Sequence, residues 1–309
     1  MKKRIKSVFH ILEYIGVVVV YYMISLIPFR LCVHIASAFS TPVSLFFPVR
    51  EKIIRKNLDL AFPEMKRARR RRILRQSYRN FLLFLVEFIH FRKSGQKNLS
   101  RHITRIEGGE YFQKLQPGSN PFFIVTGHMG NWELMGGHFA LKGIKLSVLA
   151  KPVHNPYVDR MVNKSRKEMG MEIISTRKAP IKSILKAIKQ GRQVAFLADQ
   201  DARRSGIFVD FFGKPASTFT GPALFSIRTG LPLLPAFDIR TGILTHKVIF
   251  FPPLYPREDM KRDDAIRELT QRHVRILERV IREYPEQYFW FHRRWKTRPR
   301  EKIKKSAVV

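Results

Sequence analysis

From Tyr14 to Phe29 the chain carries no charged side chain, and a second apolar stretch from Leu31 to Phe47 holds only Cys32 and His34 as titratable groups. The first stretch is a little short of the roughly 20 residues that cover a bilayer core. Val8 to Leu12 lengthens it if Glu13 is tolerated. Two apolar pieces in series, punctuated by Pro28, Pro42 and Pro48, predict a helical hairpin that dips into or crosses a membrane. A buried core helix of a soluble protein is the alternative. No small-residue cleavage pattern follows, so residues 1–48 are expected to be a retained hydrophobic helical membrane anchor.

Residues 49–95 read as a basic helical surface segment. Lys66, Arg67, Arg69, Arg70, Arg71, Arg72, Arg75 and Arg79 precede the apolar run Phe81 to Val86. Such a helix can lie against an anionic surface with its arginines on phosphates, or simply present a solvated face. From residue 121 the rhythm changes. Apolar runs at 122–126, 145–150, 172–175, 194–198, 233–239 and 247–251 predict strands. Helices are expected at 134–141, 155–170, 181–189, 220–230 and 263–284. The predicted fold class is α/β, a mixed central sheet flanked by helices, with residues 49–309 as the catalytic domain.

Charge narrows the partners. Across 309 residues, 58 Lys and Arg stand against 24 Asp and Glu, a net charge of +34, so the chain should meet strongly anionic surfaces. Nucleic acid, an anionic membrane face and an acidic carrier protein all qualify. The 25 Phe exceed what an electrostatic nucleic-acid binder needs, and no nucleic-acid-binding motif is present. The single cysteine, Cys32, excludes intramolecular disulfides and Cys-rich zinc modules.

The most informative segment is Thr126-Gly-His-Met-Gly-Asn-Trp-Glu133, directly after a predicted buried strand. On a continuous helix His128 and Glu133 would lie about 140° apart. A turn at Gly127 and Gly130, with Asn131 as N-cap, would let them meet at the strand's carboxyl end, where open α/β sheets bind ligands. A carboxylate on one imidazole nitrogen fixes the tautomer and makes the other a hydroxyl-activating base. Free N–H groups at the helix start can bind an oxyanion. A satisfied histidine in a tight turn is the plain alternative. Zinc on His128, Glu133 and His138 is disfavoured, because HExxH is absent and spacings of five do not converge on one helix face.

His-x4-Glu after an apolar strand resembles the His-x4-Asp/Glu block of the glycerolipid acyltransferase superfamily. The longer string resembles the branch containing lipid A biosynthesis acyltransferases, the lauroyl and myristoyl transferases. Further strings agree in order: Asn57-Leu with Phe62-Pro63, Asn155-Pro156 followed by Arg166, Ala198-Asp199-Gln-Asp201, Val209-Asp-Phe-Phe-Gly213, and Trp290-Phe-His-Arg-Arg-Trp-Lys296. The resemblance implies transfer of a fatty acyl chain from an acyl-carrier-protein thioester to a hydroxyl of a lipid A precursor, on the cytoplasmic side of the inner membrane. It implies no cofactor and no metal. It makes His128 the general base and Glu133 its partner, with Arg166 and Asp199 as substrate-binding residues of the site. Asp199 is expected to orient Arg166 or an acceptor hydroxyl. The acidic carrier, an anionic glycolipid acceptor and the membrane surface would account for the charge, and no specific nucleic-acid partner is implied.

Arg293, Arg294, Lys296, Arg298 and Arg300 are read as a second basic block, with Trp290, Phe291 and Trp295 at a headgroup boundary. Met129, Trp132, Met135, Phe211 and Phe212 are candidates for an acyl slot, though core packing explains them as well. The alternatives are acylation of another glycolipid or a lysophospholipid, a metal-dependent glycosyltransferase using Asp199-Gln-Asp201, and a basic nucleic-acid-binding protein.

Overall fold

The strand β2 (Phe123–Thr126) is buried along its whole length, which explains its unbroken apolar sequence. It lies at the centre of a seven-stranded sheet in a computed structural model that describes residues 2–91, 99–116, 120–177 and 179–299. With β1 (Ile103–Glu107), β3 (Leu146–Ala150), β4 (Glu172–Ser175), β5 (Gln193–Leu197), β8 (Leu233–Arg240) and β9 (His246–Phe250), the order is β1-β9-β8-β2-β5-β3-β4. All neighbours are parallel except β8 and β9, so the sheet is mixed, as expected.

Successive side chains of β2 enter opposite layers. Ile124 joins Leu134 and Phe139 of α6 (Trp132–Leu141), while Phe123 and Val125 join a second cluster. There they meet Ile184 of α8 (Pro180–Lys189), Phe225 of α9 (Gly221–Thr229) and Leu269 of α10 (Arg262–Glu283). Two further helices are α5 (Gly109–Leu115), beside β9, and α7 (Pro156–Glu168), which connects β3 to β4. Most predicted elements lie within two residues of the observed ones.

Within the predicted segment 49–95 the chain forms two helices, α3 (Glu51–Ala61) and α4 (Arg67–Phe91), and residues 92–95 lie outside the described residues. The string Val209 to Gly213 is the end of a strand and its hairpin turn at Phe212 and Gly213, not foreseen from the pattern. It joins β6 (Ile207–Phe211) to β7 (Lys214–Thr218), with Phe212 and Gly213 at φ 57 and 70, the positive values a two-residue turn needs.

The first two helices, α1 (Lys2–Leu26) and α2 (Phe29–Phe46), are long and apolar enough to cross a membrane over Ser7–Leu26 and Phe29–Phe46. Phe9, Leu12, Met23, Phe39 and Phe46 are exposed on them. Both also touch the rest of the fold. Cys32 and Val33 pack on Leu83 and Val86 of α4, and Asn155 donates to the His10 carbonyl and to Glu13.

The carboxyl-terminal block differs from expectation. Trp290, Phe291 and Trp295 belong to a core cluster with Ile54, Leu58, Phe211 and Phe212, rather than to a headgroup boundary. Arg294 is buried as well, donating to the Ser217 carbonyl and the Thr218 hydroxyl, so it is not part of a surface block. Aromatic residues beside arginines look interfacial in sequence, but the β6–β7 hairpin covers them. Arg300 lies outside the described residues.

Candidate active site

Two neighbouring strands build the centre of the site. Strands β2 and β5 run parallel with Thr126 opposite Leu197, so two residues past each strand end His128 meets Asp199. The backbone N–H of His128 donates to Asp199 Oδ2 at 3.0 Å, and its Nδ1 lies 2.7 Å from Oδ1. Burial pushes the Asp199 carboxyl up, but the facing imidazole and the N–H bonds outweigh it and hold the pKa below its ordinary value. An ionised carboxylate only accepts, so Nδ1 carries the proton and the Nε2 of a neutral imidazole is the acceptor. Nε2 lies 3.5 Å from the Gln200 amide nitrogen, and the His128 side chain is 19% exposed. The ring lies edge-on to Trp132, centroids 4.7 Å apart, and 6.0 Å from Phe289. Phe84 stacks on Trp132 from behind at 4.3 Å.

Glu133 is not the partner of His128. It sits in the first turn of α6, nearly buried, and takes Arg166 of α7 in a fork, Nε at 3.1 Å from both oxygens and Nη2 at 2.6 Å from Oε1. Burial opposes the charge on Arg166, but Glu133 outweighs it and raises the guanidinium pKa. The partners expected from the local motif are thus exchanged: Asp199 orients His128, and Glu133 rather than Asp199 orients Arg166. The physical reason is the helix geometry. With Asn131 capping Leu134 N–H, Trp132 faces the imidazole and Glu133 projects toward the neighbouring helix.

The backbone of the turn is largely committed. The N–H groups of His128, Met129, Gly130 and Asn131 donate to Asp199, Gly127, Gln287 and Asp238. Trp132 and Glu133 occupy the first two helical positions, whose N–H groups have no acceptor within a helix.

The profile of the family described as "Bacterial lipid A biosynthesis acyltransferase" matches residues 1–297. The chain belongs to this family. It is 27% identical over 292 residues to the lipid A biosynthesis lauroyltransferase of Escherichia coli (strain K12), covering 93% of this chain and 92% of that protein. The lipid A biosynthesis palmitoleoyltransferase of the same strain is 27% identical over 258 residues, 82% of this chain and 81% of that protein. A phosphatidylinositol mannoside acyltransferase of Mycobacterium tuberculosis (strain CDC 1551 / Oshkosh) is 24% identical over 143 residues, 45% of each chain. Acyl transfer is therefore the class of reaction for which the strand-end cluster is the candidate site.

For such a transferase, the other singled-out residues sort by their contacts. Asp201 takes the Thr297 hydroxyl at 2.9 Å, and its N–H donates to His292, so Asp199 and Asp201 point to different partners. His138 is buried within α6, and burial pushes its pKa down to about 4. Among the described residues no group of three or more His, Cys, Asp or Glu is placed to hold a metal. Met129, Met135, Phe211 and Phe212 are core residues, whereas Trp132 borders the imidazole. Gln200, within the Asp199-Gln-Asp201 string, and Phe289 also border it; Phe289 carries no local sequence signal and arrives from near the carboxyl end, where its N–H donates to the His128 carbonyl at 3.0 Å.

Proposed function

We propose that this acyltransferase moves a fatty acyl chain from an acyl-carrier-protein thioester to a hydroxyl of a lipid A precursor, with His128 as general base. The observation that carries the reading is the Nδ1 contact to buried Asp199, which leaves Nε2 of a partly exposed imidazole as the nitrogen for the acceptor hydroxyl. Nε2 takes the acceptor's hydroxyl proton as that oxygen attacks the thioester carbonyl. The carbon–sulfur bond of the tetrahedral intermediate then breaks, and the thiolate leaves with the proton returned by His128. Asp199 holds the tautomer and stabilises the imidazolium. The N–H groups of Trp132 and Glu133, which have no acceptor within the helix, would serve as the backbone donors to the developing oxyanion. Arg166, fixed by Glu133, binds an anionic group of a substrate. Among the described residues the ring nitrogens of His128 meet Asp199 and Gln200 rather than a serine or cysteine, which supports direct transfer.

The same reading places the protein on the cytoplasmic face of the inner membrane, anchored by α1 and α2. Their exposed apolar side chains and the net charge of +34 support it. The test is incubation of the purified protein with acyl-carrier thioesters and a panel of lipid A precursors and glycosylated phospholipids, read by mass spectrometry. The expected result is a lipid A precursor heavier by one acyl chain, with no covalent acyl adduct on the protein. Transfer only to the other acceptors, or a chase-competent acyl-enzyme, would contradict it.

A further inference from the structure

Beneath the turn that carries His128 lies a buried charge network from three other elements. Glu87 of α4 accepts from both terminal nitrogens of Arg240, and its Oε1 lies 3.2 Å from His246 Nε2. His246 Nδ1 lies 2.7 Å from Asp238 Oδ1. All four side chains are at most 8% exposed.

The network grips the turn at three points. Asp238 Oδ1 accepts the Asn131 N–H at 2.6 Å, and Glu87 Oε2 accepts from Asn131 Nδ2 at 2.8 Å. Gln287, bound both ways to the Arg240 backbone, accepts the Gly130 N–H through its own carbonyl at 3.2 Å. Gly130 sits at φ 53, and a Cβ there would come within 2.3 Å of the Asp238 carbonyl oxygen, so the fit leaves no slack.

Burying four charged groups is a poor route to stability, since apolar residues of equal volume commonly serve as well or better. What such a network supplies is fixed geometry. We propose that Glu87, Asp238, Arg240 and His246 are positioning residues that hold the 128–131 turn so that the His128 Nε2 stays aimed at the acceptor hydroxyl. This rests on His128 acting as the base.

The test is a kinetic cycle on the full-length protein. Glu87→Gln removes one charge of the network. Asn131→Ser keeps a side-chain oxygen for the helix cap while removing the bond to Glu87, and it carries the test if Glu87→Gln yields no folded protein. Each is expected to lower kcat tenfold or more, with donor and acceptor KM within twofold. In a His128→Ala background the same changes should alter the residual rate less than twofold, because a positioning effect has no base left to act through. Equal losses in both backgrounds would make the network a general support and overturn the proposal. So would kcat within twofold for both variants beside an inactive His128→Ala protein, a result that leaves the acyl-transfer reading standing. Near-normal turnover of His128→Ala would overturn both together.

Discussion

At the scale of single residues, the exchange of partners between two carboxylates decides what each variant should do. Asp199→Asn keeps the size, but with its oxygen on the His128 backbone N–H its amide donates to Nδ1 and selects the wrong tautomer, so kcat should fall about 10²-fold or more. Asp201→Asn, which touches Thr297, should stay within a few fold in the same steady-state assay. Glu133→Ala should also lower turnover about 10²-fold, by releasing Arg166. Leaving that guanidinium unpaired should cost about 3 kcal/mol of stability in thermal or denaturant unfolding. The double change Glu133→Ala with Arg166→Met should recover stability but not activity. Recovered activity would assign the pair a purely structural role. His128 and Glu133 were legible from the strand-turn-helix segment, and Arg166 and Asp199 only through the family resemblance. Their pairing was not, because it depends on the register between β2 and β5, segments about 70 residues apart, and on which side of α6 Glu133 leaves.

At the scale of elements, α4, β8 and β9 meet under the turn through groups that titrate. Burial lowers the His246 pKa, but Asp238 and Glu87 outweigh it and raise the value to about 9. The groups facing it are Glu87 from α4, Asp238 and Arg240 from β8, and His102, whose carbonyl takes the His246 N–H. A raised pKa gives stability that is fully present below the ordinary value near 6.5 and is lost as pH rises through about 9. Unfolding followed from pH 7 to 10 should therefore show a loss on the order of 3 kcal/mol that His246→Gln largely abolishes. An unchanged pH slope in that variant would contradict the assignment. Nothing in the local sequence marks these residues, since Glu87 sits in an apolar helix stretch and His246 opens a strand. The alternating strands and helices from β2 onward were legible because their apolar runs are bounded by glycine and proline. Strand β1 was not, since charged side chains interrupt it, and the β6–β7 pairing was not, since β7 (Lys214–Thr218) has no apolar run to mark it as the partner of the largely apolar β6.

At the scale of the whole molecule, the first two helices were readable from length and hydropathy, while their packing on α4 and α7 was not. Charge alone would bind the protein to an anionic bilayer, but 1 M salt shortens the Debye length to about 3 Å and should release a purely electrostatic contact. Membranes holding the protein should therefore retain it in 1 M salt and yield it only to detergent. Release by salt would contradict the anchor. The central claim is that the imidazole oriented by Asp199 activates the acceptor hydroxyl. Turnover of a folded His128→Ala protein, with an acyl-carrier thioester and a lipid A precursor at saturation, tests it most directly. The account predicts a kcat about 10²-fold or more below that of the unaltered chain, at unchanged donor KM, and a kcat near the unaltered value would contradict it.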